Sequence, residues 1–100
     1  MVAKSSMIGF TKSIAMDYSN YNIRSNCICP GYVETPLTKD YLSSLDAESL
    51  EKINKQHLLK GIGDARDISG LVVFLLSEKS NWMTGSIIPV DGGFTLGINL

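Results

Sequence analysis

The feature that most constrains this chain is the run Cys27-Ile28-Cys29-Pro30-Gly31. A short, nearly continuous apolar run is what a strand covered on both faces requires. Proline then removes a ladder donor and glycine permits a sharp change of direction, so the run has a defined end. Residues 23–29 therefore read as a strand that stops into a loop. The segment before it has helical periodicity. Ala3, Met7, Phe10, Ile14 and Tyr18 recur at steps of four, three, four and four, and Ile8 and Ala15 add a second apolar patch. Asn20-Tyr21-Asn22 reads as the turn between the two. A helix, a strand and a loop at the strand's carboxyl end are the grammar of α/β folds, whose ligands bind at such ends.

Residues 36–60 are more polar and read as irregular. Asp46 is placed to cap a short helix with Leu50, Ile53 and Leu58 on one side. Gly61 and Gly63 punctuate its end. A clearer helix is expected over 64–79, where Asp64 and Asp67 form a variant capping box. Ile68, Leu71, Val72, Leu75 and Leu76 then make the stripe i, i+3, i+4, i+7, i+8. After the Thr84-Gly85 turn, residues 86–91 read as a last strand ended by Asp91-Gly92-Gly93. Pro89 within it suggests an edge position or a ladder end.

Composition narrows the partners. Nine basic and ten acidic residues leave a net charge of -1, which gives no electrostatic reason to expect nucleic acid or an anionic membrane. No stretch approaches the roughly 20 apolar residues of a membrane span. The amino terminus has no signal-peptide pattern. Cys27 and Cys29 share a strand face at roughly 6.5–7 Å between Cα atoms, long for a disulfide. Packed thiols in a reducing, cytoplasmic setting are the natural reading. A metal module is disfavoured, because His57 is the one histidine in the sequence and no further ligands stand at metal spacing.

Two strands and about three helices cannot cover both faces of a parallel sheet. The stripes on the first and last long helices need surfaces beyond this inventory, so either copies associate or the chain is part of something longer. The fold class is α/β, read as the C-terminal portion of a Rossmann-like doubly wound parallel sheet, incomplete as an independent fold.

The motifs, in order, resemble the C-terminal half of the short-chain dehydrogenase/reductase family. They are the helix Lys4-Ser5-Ser6-Met7-Ile8-Gly9-Phe10-Thr11-Lys12-Ser13 and the strand and loop from Ile23 through Cys27-Ile28-Cys29-Pro30-Gly31-Tyr32-Val33-Glu34-Thr35-Pro36. Asp67-Ile68 then opens a helix, and Thr84-Gly85 precedes Val90-Asp91-Gly92-Gly93. The resemblance spans nearly the whole chain. It implies one NAD(P)-binding domain portion: 1–18 the lysine helix, 23–35 the strand and cofactor loop, 36–60 the substrate-loop region, 64–79 a helix and 86–91 the last strand.

It also implies roles. Lys4 is expected to bond the nicotinamide ribose and to act with a tyrosine four residues earlier. Positions i and i+4 share a helical face, and a nearby cation lowers a phenol's pKa from about 10. That tyrosine would stand at position zero. Pro30, Gly31 and Tyr32 are expected to shape the loop against the nicotinamide. Val33 would offer backbone groups to the carboxamide, and Thr35 its hydroxyl to the carboxamide or pyrophosphate. The cofactor would be NAD or NADP, the substrate a small alcohol or carbonyl, and the assembly a homo-oligomer (dimer or tetramer). The family's catalytic serine, asparagine and glycine-rich loop are not among these residues. Plainer readings stand beside these: Lys4 as a solvated surface lysine, and Pro30-Gly31 as a simple turn. The chain would then be an inactive piece that retains only association surfaces.

Overall fold

The computed structural model describes the backbone over residues 2–97 and the side chains over residues 5–96. In order, the described elements are α1 (Val2–Asp17), a 3-10 turn (Ser19–Tyr21), β1 (Cys27–Pro30), β2 (Val33–Glu34), α2 (Pro36–Ser44) and α3 (Ala47–Gln56). Then come β3 (Gly63–Asp64), α4 (Arg66–Leu75), a 3-10 turn (Glu78–Ser80), β4 (Ile87–Val90) and α5 (Phe94–Gly97). The chain divides into two compact units, one of residues 1–29 with 71–88 and one of residues 30–70 with 89–100.

β1 pairs with β4, and β2 with β3. The Cys27 N–H donates to Ser86 O at 2.8 Å and the Gly31 N–H to Val90 O at 3.1 Å, so residue numbers rise together and the pair is parallel. This register also explains both prolines. The donors on β1 are odd-numbered and the acceptors on β4 even-numbered, so the N–H that Pro30 and Pro89 lack would face away from the partner strand. Proline is tolerated there without losing a rung. The sequence expectation for β1 was too long. Residues 24–26 lie outside the strand: Ser25 O accepts from the Gly85 N–H at 2.6 Å, and the other bonds to the facing segment run through side chains. Asn26 Oδ1 accepts from the Ser86 N–H at 3.1 Å, and Thr84 Oγ1 from the Ser25 N–H at 3.1 Å.

In the first unit, α1 buries Thr11 and Ala15 and half-buries Ile8 and Ile14. Met7 and Phe10 of the expected stripe are 55% and 63% exposed, so the unit uses the second patch, Ile8 and Ala15, with Ile14 alone of these three stripe residues half-buried. Ala15 packs where Gly85 (φ +72°) turns the chain, 3.7 Å from the position a Cβ would take. Arg24 closes the end of α4: its guanidinium donates to Leu75 O at 2.9 Å, Met83 O at 3.2 Å and Ser77 O at 3.4 Å. Leu75 O is one of the last carbonyls of the helix, where the dipole favours a cation, and Ser77 O and Met83 O lie in the chain that follows it. The helix therefore stops at Leu75, short of the expected 79, and Ser77 caps a separate 3-10 turn.

In the second unit, residues 36–60 hold two helices where the sequence suggested one. Thr35 caps α2 with Pro36 in its first turn, and Asp46 caps α3 by accepting from the Ser49 N–H at 2.6 Å. Leu42 is buried and Leu50 and Ile53 half-buried, while Leu58 lies past the helix and is exposed. At α4 the proposed box is only half made. Asp67 accepts from the Asp64 N–H at 2.7 Å, but Ala65 O receives the first helical N–H groups, so Asp64 is not the cap.

Candidate functional site

The expected cofactor loop, Pro30 to Thr35, lies in the second unit, and its geometry is set by three contacts. A Cβ on Gly31 would fall 2.8 Å from the Asp91 Cβ and 2.9 Å from its Cα. Only glycine allows two backbones to approach this closely. Asp91 is itself fixed: Oδ2 accepts from the Thr95 hydroxyl at 2.8 Å and Oδ1 from the Gly93 N–H at 2.9 Å. The Thr95 hydroxyl, then the backbone N–H groups of Gly93 and Thr95, hold the Asp91 carboxyl below the usual carboxylate range.

Tyr32 stacks edge-on against Phe94, ring centroids 5.4 Å apart at 69°. It also meets His57 edge-on at 6.2 Å. Beyond it the loop is tied by Thr38, a residue not singled out from the sequence. Thr38 Oγ1 donates to Val33 O at 2.6 Å and accepts the Thr35 N–H at 2.9 Å, while the Thr38 N–H donates back to Thr35 Oγ1 at 3.3 Å. Thr38 has one hydroxyl proton, and Val33 O takes it. The 3.2 Å contact between the two hydroxyls is therefore a bond that Thr35 donates to Thr38 Oγ1, and a ligand oxygen would have to draw that proton away from it. Redirected from Thr38, that proton would suit a carboxamide or phosphate oxygen, and in this sense the residues present fit a nicotinamide dinucleotide.

The segment after α3 is strapped down by Gly92 O, which accepts from the N–H groups of Leu58 at 2.8 Å and Leu59 at 3.0 Å. A Cβ on Gly93 would fall 2.9 Å from Leu58, so both the Pro-Gly and the Asp-Gly-Gly glycines serve close approach. Lys60 Nζ meets Asp67 Oδ2 at 2.6 Å, and Arg66 meets Asp64 at 3.3 Å. The Lys60 ammonium lowers the Asp67 carboxyl, and the Arg66 side chain lowers that of Asp64. Lys4 belongs to the first unit, in the first turn of α1; its side chain lies outside the described residues. Gly31, Tyr32, Val33 and Thr35 thus come together on one loop. Cys27 and Cys29 are outside any disulfide, with Sγ atoms 3.9 Å apart. Among the described residues no three His, Cys, Asp or Glu side chains gather as a metal site, and no helix is long and apolar enough to cross a membrane.

The profile of the enoyl-(acyl carrier protein) reductase family matches residues 1–95. A tropinone reductase homolog of Arabidopsis thaliana is 38% identical over 93 residues, covering 93% of this chain and 34% of the homolog. Among solved structures, 4-hydroxyisoleucine dehydrogenase complexed with NADH is 35% identical with a TM-score of 0.86, over 95% of this chain and 38% of that one. A candidate 2-deoxy-D-gluconate 3-dehydrogenase from Agrobacterium tumefaciens with bound NADP is 34% identical with a TM-score of 0.85, over 95% and 38%. The chain belongs to the short-chain dehydrogenase/reductase family. Its fold is the matching portion of that family's Rossmann-like α/β architecture. The chain spans about a third of the length of the curated relatives it matches.

Proposed function

We propose that this chain contributes the lysine helix and nicotinamide-side loop of an NAD(P)-dependent oxidoreductase that moves hydride between an alcohol and a carbonyl. The observation that carries this reading is the loop itself, in which Thr38 holds Val33 O and the Thr35 N–H and so fixes where the loop's backbone and the Thr35 hydroxyl stand. The likeness to structures bound to NADH or NADP supports it. The dinucleotide would supply or accept the hydride. Pro30, Gly31 and Tyr32 would shape the wall beside the ring, Val33 would meet the carboxamide with its backbone, and Thr35 would donate to a carboxamide or phosphate oxygen. Lys4 would bond the ribose and stabilise the phenolate of a tyrosine one helical turn earlier, because a nearby cation favours the charged form.

A homo-oligomer belongs to the same reading. Phe10 and Met16 on α1 and Val73 and Leu76 in and beside α4 are more than half exposed, which favours association. A cytoplasmic setting is supported by the two thiols at non-bonded distance.

Grafting residues 1–95 in place of the matching segment of 4-hydroxyisoleucine dehydrogenase tests the reading. The folded graft should bind NADH and turn over substrate, and its Lys4→Met form should not turn over. The 100-residue chain alone should show no turnover. A folded graft that fails to bind NADH would sink the proposal.

A further inference from the structure

The backbone at Tyr32 is fixed from both sides. Gly31, just before it, abuts Asp91, and the Tyr32 carbonyl accepts from the Gly63 N–H at 2.9 Å. The direction of the Tyr32 ring is then decided by what flanks it. Two rings do so: Phe94, edge-on with centroids 5.4 Å apart, and His57, edge-on at 6.2 Å. Those two are themselves 5.0 Å apart. Aromatic pairs attract one another at centroid separations of roughly 4.5–7 Å and such angles.

His57 cannot swing away to follow the loop. It is 5% exposed and stands at the C-cap of α3, where its N–H donates to Asn54 O at 3.2 Å. Its Nδ1 lies 2.8 Å from Ile53 O; a carbonyl only accepts, so Nδ1 carries the proton and the ring is pinned to the last turn of its own helix. The next two residues, Leu58 and Leu59, both donate to Gly92 O. Nε2 is buried and meets no polar atom among the described residues. What His57 gives its surroundings is therefore its ring, held by the Nδ1 bond.

We propose that His57 is a positioning residue for the cofactor: pinned to the end of α3, it sets the orientation of the Tyr32 ring, and through it the wall beside the nicotinamide. The inference rests on the reading of the loop given above, and adds to it a residue from the 36–60 segment. A Tyr32 ring free to turn would present that wall only part of the time, and apparent affinity falls by the same fraction.

The test is affinity measured on the full polypeptide that carries this chain. One ligand is NADH or NADPH, whichever the wild type binds more tightly. The other is ADP-ribose (its 2′-phosphate for NADPH), which lacks only the nicotinamide. His57→Ala should weaken the dinucleotide roughly three- to tenfold, the worth of an aromatic pair, and leave ADP-ribose unmoved. A residue that merely supports the fold would lower both. His57→Phe, which keeps a ring in place, should restore dinucleotide affinity. In a Tyr32→Ala background, His57→Ala should cost nothing further. Equal weakening of both ligands, a full additional loss in the Tyr32→Ala background, or a folded His57→Phe as weak as Tyr32→Ala would overturn the proposal. The last does so even where His57→Ala does not fold. A wild type that binds neither dinucleotide removes the reading of the loop, and this inference with it. One that binds, with an affinity indifferent to His57→Ala, removes this inference alone.

Discussion

Gly31 and Asp91 meet backbone to backbone: a Cβ added at 31 would stand 2.9 Å from the Asp91 Cα, closer than real Cβ contacts come. The loop after β1 and the turn after β4 are thus held together by a missing side chain. Gly31→Ala should lower stability by about 1–3 kcal/mol, the usual cost of overpacking. Urea denaturation followed by circular dichroism measures it, and an unchanged midpoint would show that the two segments part freely.

Thr38 is the second device that shapes the loop. Thr38→Val removes the bond to Val33 O and the one accepted from the Thr35 N–H, while keeping volume and the backbone N–H that bonds Thr35 Oγ1. A loss of about 1 kcal/mol is expected, from the missing side-chain hydrogen bonds. Thr38→Ser should restore most of it in the same denaturation assay. Equal losses in both variants would mean that the methyl group, not the hydroxyl, matters.

Arg24 serves the other unit. Its fork reaches three carbonyls, a geometry the ammonium of lysine does not reproduce. Both Arg24→Met and Arg24→Lys should therefore destabilise, the former by about 1–3 kcal/mol. Full rescue by lysine would reduce the role of Arg24 to simple charge at a helix end.

The carboxyl groups of Asp64, Asp67 and Asp91 all titrate below their ordinary value of 3.8 in the folded chain. The unfolded chain then binds protons first as pH falls. Their stabilisation is complete above the unfolded value and is lost as pH drops through the lower folded values. Stability measured from pH 6 downward should hold until roughly pH 4–5 and then decline. Asp91→Asn should make that decline shallower. An equal slope in the variant would remove Asp91 from the account.

What the sequence disclosed follows what its residues do locally. Asp46 announced α3, and the Ile68–Leu71–Leu75 spacing announced α4, because caps and periodicity are short-range signals. β1 was overextended, because Arg24, Ser25 and Asn26 are committed to partners more than 50 residues away, which no local pattern reveals. α2 was missed although Thr35-Pro36 is a helix-start signal, because Leu37 and Tyr41 are exposed and give it no apolar stripe. At the site, the loop residues were named from motif order. Thr38 was not, since its role exists only once the loop has folded around it.

Lys4 and the Pro30–Thr35 loop are each proposed to serve NAD(P)-dependent hydride transfer. The most direct measurement is to read the coding sequence immediately upstream of codon 1 and to assay the polypeptide it encodes for carbonyl-dependent oxidation of NADH and NADPH. An in-frame tyrosine four positions before Lys4 is expected, with a turnover that falls on the order of 100-fold or more in Lys4→Met. Absence of that tyrosine, or turnover indifferent to Lys4→Met, would contradict it.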